Sequence, residues 1–224
     1  MAAVPNIIAH LDDGRPTRCK GHWRSYWPDG HYLLRYGDCC QQIFEAITGK
    51  TIHTSGGYPM QDGNGKKCKE RAELWWQNYQ KKGEKQVLVE ETASGTRDSS
   101  HFAKTLADKY PEAALAPLFE GIRASTDKHV RANLISVVAK LKSDKVPPLL
   151  IEELKGPHLD SRVRAAVLLA ARGEPAGYDA LGEEWKKLAA AKIDRWEHGR
   201  AIDELTGAMI RSGNPSILIE LRKT

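Results

Sequence analysis

Long apolar runs are missing from this chain. No window of its 224 residues approaches the roughly 18 uninterrupted apolar side chains that a membrane span requires. The opening stretch, MAAVPNIIAHLDDG, has no basic segment followed by a long apolar one, so no secretory signal is visible. Charge of one sign is also scarce. Thirty-four Lys and Arg against 29 Asp and Glu leave a formal charge of +5, which does not by itself demand nucleic acid or an anionic membrane as partner. Cysteine is sparse as well: Cys19, Cys39, Cys40 and Cys68 all lie in the first third, whereas a disulfide-stapled secreted fold is shorter and denser in Cys. Reduced thiols and a cytoplasmic location are the expectation. No G-x-x-x-x-G-K-[ST] or G-x-G-x-x-G phosphate loop and no nucleophile elbow occurs, so the reading leans away from an enzyme.

What is present is self-similarity. The segment PLFEGIRASTDKHVRANLISVVAKLKSD, Pro117 to Asp144, is followed by PLLIEELKGPHLDSRVRAAVLLAARGE, Pro148 to Glu174. Each holds Pro, a short helical pattern, a turn with Asp, and Val-Arg opening a second helix. Asp127, Val130 and Arg131 recur as Asp160, Val163 and Arg164. In the first unit Val130, Leu134, Val137 and Leu141 fall at i, i+4, i+7 and i+11, one face of a helix that has to be buried. In the second, Val163, Ala166, Val167 and Ala170 repeat the stripe with smaller side chains that permit close helix approach. Asp127 and Asp160 are placed to cap the second helices. Pro117 and Pro148 suit the first turn of the first helices, where a missing N–H costs nothing.

This D-x-x-V-R spacing behind a proline-led helix resembles the HEAT-repeat family over about residues 112 to 174. The stretches GDCCQQIFEAITGK and WWQNYQKKGEKQVLVEET are similar to bacterial HEAT-repeat proteins. The resemblance implies an all-α fold, a right-handed α-α superhelix of helical hairpins with irregular loops in the N-terminal third. It also implies that Asp127, Arg131, Asp160 and Arg164 form a structural ladder between successive turns. On this reading the chain is one solenoid domain, with degenerate repeats and insertions over 1–111, clear repeats over 112–174 and a capping repeat over 175–224. In the last of these, Tyr178, Leu181, Trp185 and Leu188 mark one helix, and Trp196, Ile202, Leu205 and Met209 the next. The final segment, PSILIELRKT, reads as a terminal half-repeat.

In the first third, Val4 to Leu11 echoes Val146 to Leu154, and HYLLRYGDCCQQIFEAITGK reads as a second helix ending at Gly49. GRPTRCKGHWRSYWPDG and TIHTSGGYPMQDGNGK read as long Gly- and Pro-bearing insertions, a kind of segment that is often functional. Lys66 to Gly83 is the strongest local pattern. Cys68, Ala72, Trp75 and Tyr79 make a core stripe with Gly83 as the stop, while Lys67, Arg71, Asn78 and Lys82 share a separate, basic row. Trp76 lies at the edge of the apolar face. Trp23 and Trp27, with Tyr26, Tyr32, Tyr36 and Arg18, Lys20, Arg24 and Arg35, form a second basic and aromatic cluster, suited to stacking and cation-π contacts or to plugging the end of a solenoid.

Cys19-x-x-His22 has a compact metal-ligand spacing, and His31, Cys39, Cys40, His53 and Cys68 are further candidates. Tetrahedral zinc needs four converging ligands, and no second C-x-x-C or C-x-x-H pair accompanies the first. No metal or other cofactor is expected, and free thiol, disulfide or ligand stay open for Cys19, His22, Cys39, Cys40 and Cys68. Asp62-Gly63-Asn64-Gly65 reads as a turn, because Lys66 and Lys67 stand where a calcium loop needs an oxygen ligand and a glycine. Two functions fit these features. One is a non-catalytic scaffold or adaptor that binds another protein through a concave helical surface and aromatic loops, with Trp23, Trp27, Lys67, Arg71, Trp76 and Lys82 as contact residues. The other is nucleic-acid engagement, in the manner of the HEAT-like DNA glycosylases.

Overall fold

The computed structural model describes residues 1–22, 31–53, 64–190, 195–213, 215, 218 and 219. It divides into two compact units, Met1–Val87 and Leu88–Thr224. Among the described residues the chain is predominantly helical, with eleven helices and one two-stranded antiparallel sheet. No helix among them is long and apolar enough to cross a membrane.

In the first unit α1 (Val4–Ala9) opens with Pro5 in its first turn and buries Val4 and Ile8. A hairpin follows, β1 (Pro16–His22) paired antiparallel with β2 (His31–Arg35), with an irregular register between Pro16 and Lys20. This departs from the single helix expected from His31 to Gly49. The chain is extended through Arg35 (φ −80°, ψ 159°) and α2 (Tyr36–Thr48) starts only after it. The start is fixed by Asp38, whose carboxylate accepts the Arg35 N–H at 2.8 Å, the reciprocal half of a capping box. Upstream, Thr17 Oγ1 donates to Leu34 O at 2.8 Å and holds the strand away from helical geometry. The expected end holds, because Gly49 closes α2 in the left-handed conformation.

α3 (Asn64–Lys82) and α4 (Glu84–Ala93) are separated by Gly83, at φ 80°. That conformation disfavours any residue with a Cβ, so the stop signal and the observed break coincide. The core of this unit joins Leu11, Phe44, Ile52, Cys68 and Ala72, all essentially inaccessible to solvent.

The second unit continues with α5 (Ser99–Lys109), α6 (Pro111–Ala124), α7 (Lys128–Val138), α8 (Val146–Glu153), α9 (Leu159–Ala171), α10 (Pro175–Ala190) and α11 (Arg195–Ser212). The stripe Val130, Leu134, Val137 and Leu141 is buried along its whole length. On α9, Val163 and Ala166 are fully buried in a cluster with Leu181, Leu188, Leu205 and Met209, and Val167, Ala170, Tyr178, Trp185 and Ile202 pack partly buried against it. The Trp196 side chain and most of the final segment lie outside the described residues. Helix α10 comes so close to α9 that a Cβ on Gly177 would sit 2.2 Å from Ala170 N.

Two expectations about the repeat are corrected. The first helix begins at Pro111, so Pro117 lies inside α6 rather than in its first turn, and is buried there. Asp160 is not the cap of α9: the helix starts at Leu159 behind His158, and Asp160 is already in its first turn. The reason is local. Arg162 N donates to His158 O, so helical bonding begins earlier relative to Val163 than it does relative to Val130, where Arg131 N donates to Asp127 O.

Candidate functional site

Helix α3 is held by its inner face. Cys68 and Ala72 are buried, and Trp75, also buried, meets the fully buried Phe44 of α2 edge-on, with centroids 5.8 Å apart at 81°. At its start, Lys69 Nζ donates to Asp12 Oδ1 at 2.9 Å and to Ala9 O at 3.2 Å, tying α3 to the end of α1. That ammonium, through its hydrogen bond, also draws the Asp12 carboxyl below the usual carboxylate range. From within α2, Glu45 Oε1 accepts from Ile52 N and faces His53 Nδ1 downstream of the helix, each at 3.1 Å. His53 O in turn accepts from Arg71 Nη1 at 3.2 Å.

With the inner face committed, the outer face is presented to solvent. Lys67, Arg71, Asn78 and Lys82 are all exposed, as the wheel predicts, and Lys81 flanks them. Leu74 belongs to the same row and is 62% exposed. Sequence reasoning missed it because the row was grouped by charge. The signal was available: 67, 71, 74 and 78 run i, i+4, i+7 and i+11, the spacing of one helical face. The row from Lys67 to Lys82 is about 22 Å long at 1.5 Å per residue. Lys81 and Lys82 also stand in the last turn, where cations complement the helix dipole.

Trp76 is half-buried and stacks on Tyr79, centroids 5.4 Å apart at 8°. The structure therefore gives it an intrahelical packing partner and sets it apart from the basic row. Trp23 and Trp27 lie outside the described residues, as do residues 54–63, so the aromatic loop cluster and the start of the Asp62 turn are not placed; Asn64 and Gly65 open α3.

Asp127 caps α7, accepting from His129 N at 2.7 Å and Val130 N at 3.2 Å, and these two bonds lower its pKa. Arg131 reaches Ile122 O and Glu153 Oε1, both at 2.7 Å. Arg164 pairs with Glu204, and Asp160 lies 3.7 Å from Lys128. Each of these four residues makes a contact of its own, the two arginines with glutamates. Cys40 and Cys68 are buried and Cys39 is half-buried, and burial pushes the Cys40 thiol up. The side chains of Cys19, His22 and His31 lie outside the described residues. Among those that are described, no three His, Cys, Asp or Glu side chains converge on a metal site. Compared with family models, curated proteins and solved structures, the chain matches none.

Proposed function

We propose that this protein is a scaffold built from HEAT-like helical hairpins, arranged as a right-handed superhelix, which binds another protein along the outer face of α3. The reading of the repeat is supported by α6/α7 and α8/α9, two successive hairpins whose second helices each carry Val-Arg in their N-terminal half and bury an apolar stripe. The observation that carries the binding site is Leu74, an apolar side chain held 62% exposed among Lys67, Arg71, Asn78 and Lys81. An apolar anchor flanked by Lys67, Arg71 and Lys81, with Glu70 and Glu73 beside it, complements an amphipathic segment of a partner protein that carries acidic residues, read at helical spacing.

A photo-crosslinking amino acid at position 74, introduced in the source cells, tests this. The expected result is a discrete protein adduct that disappears in the K67E/R71E background and is not formed from position 183 on α10. No adduct, or one that nuclease and not protease removes, would refute it.

Nucleic acid is the second reading, favoured by the four cations Lys67, Arg71, Lys81 and Lys82 along one row. It predicts oligonucleotide binding that falls steeply with salt and is lost in K67E/R71E. Leu74→Ser leaves that binding unchanged, because an uncharged side chain contributes nothing to phosphate neutralisation; loss of partner binding in the same variant marks the protein-binding reading.

A further inference from the structure

In the second unit a cleft of about 680 Å³ opens between α5, α6, the end of α7 and the turn that leads to α8. Its size lies in the range of small-molecule sites. The floor is apolar: Ala107, Pro111, Leu115, Val137 and Leu141. The rim is charged and unbalanced, with Lys104 on α5 and Lys140, Lys142 and Lys145 on the turn, against the carboxylates of Asp108 and Glu112. Among the described residues, none of these four ammonium groups has an ion-pair or hydrogen-bond partner.

The turn that carries three of the lysines is fixed from behind. Arg172, at the end of α9, donates from Nη2 to Ala139 O at 2.7 Å and to Leu141 O at 2.9 Å. Lys140 N and Leu141 N bond back to Val137 O and Val138 O at 3.0 Å, and Val146 N bonds to Ser143 O at 3.1 Å. The wall is therefore set before any ligand arrives, which lowers the ordering cost of binding. Cations around a low-dielectric floor concentrate positive potential inside the cleft.

We infer that this cleft binds a small amphipathic anion, its apolar body on Leu115, Val137 and Leu141 and its anionic head, carboxylate or phosphate, among Lys104, Lys140, Lys142 and Lys145. This site is separate from the α3 row and stands whether or not that row binds a protein.

The test is titration of the full chain with 11-(dansylamino)undecanoate. The expected result is saturable, blue-shifted dansyl emission, displaced by an anionic alkyl competitor and not by decanol. Displacement by decanoate identifies a carboxylate head, and displacement by decyl phosphate a phosphate head. The K140E/K142E variant is expected to weaken binding by about tenfold or more. Should that turn variant fail to fold, K104E on the opposite wall reads out the same loss, with circular dichroism confirming an intact helical signal. Absence of saturable binding, equal binding by the charge-reversed folded variants, or displacement by decanol as effective as by decanoate would overturn the inference.

Discussion

Helices α3 and α7 use the same inner spacing and differ on the outside. Cys68, Ala72, Trp75 and Tyr79 on one, and Val130, Leu134 and Val137 on the other, stand at i, i+4 and i+7, with Tyr79 at i+11 on α3 and Leu141 at i+11 just beyond the end of α7, and both rows face a core. The outer face of α7 holds His129 and Asn133, polar and exposed, whereas α3 places Leu74 between Lys67, Arg71 and Lys81. The inner rows are explained by folding alone. Leu74, at 62% exposure, contributes little to the core, and the proposed binding face rests on it.

The inner row of α7 should respond most strongly to truncation. Leu134 is fully buried, so Leu134→Ala is expected to cost about 2 to 5 kcal/mol, measured as a lowered midpoint in urea at unchanged m-value. A midpoint equal to that of the parent protein would remove the equivalence of the two inner rows. Close helix approach comes next. Gly177→Ala gains about 1 kcal/mol of helix propensity, yet its Cβ would lie 2.2 Å from Ala170 N and 2.7 Å from Leu169 C, backbone atoms that cannot swing aside. The clash wins, and a net destabilisation of about 1 to 3 kcal/mol is expected by the same denaturation assay.

Asp127 gives a smaller and pH-dependent effect. Two backbone N–H groups lower its folded pKa, so the unfolded chain takes up its proton first as pH falls. The cap's contribution is present above the unfolded value of about 3.9 and is lost as pH drops through the folded value. Asp127→Ala should cost about 1 kcal/mol near neutrality and nothing once both states are protonated. A variant whose deficit persists unchanged into acid would show that the carboxylate is not the cap.

The legible parts of the molecule were the periodic ones. The α7 stripe, the α3 core row and the glycine stops at 49 and 83 follow from local spacing and backbone chirality, which a sequence carries in full. The β hairpin was not legible, because Tyr32, Leu33 and Leu34 satisfy a helical or an extended pattern equally well over so short a span. Tertiary pairing with Pro16–His22 and the reach of Asp38 back to Arg35 decided it. The helix start at Leu159 was missed for a similar reason: the recurrence of Asp160 matched Asp127 in sequence, while the backbone bond from Arg162 to His158 shifted the cap position. The lysine cleft draws its walls from three helices and a turn, so no window of sequence displays it.

The smallest expected stability effect is also the one that separates the two outer faces. Leu74→Ala removes the same atoms as Leu134→Ala, but the side chain is 62% exposed and packs against little. Its stability cost should stay within about 0.5 kcal/mol, as for surface substitutions away from caps, cores and networks. The pair of variants is therefore an internal control: identical chemistry, one position in the core and one in water. If Leu74→Ala instead unfolds the protein as severely as Leu134→Ala, residue 74 is covered in solution by the chain itself and α3 presents no binding face. If it leaves stability intact while abolishing affinity for the partner identified by crosslinking, measured with the purified proteins, the exposed leucine is retained for recognition, and the difference between α3 and α7 is a difference of function.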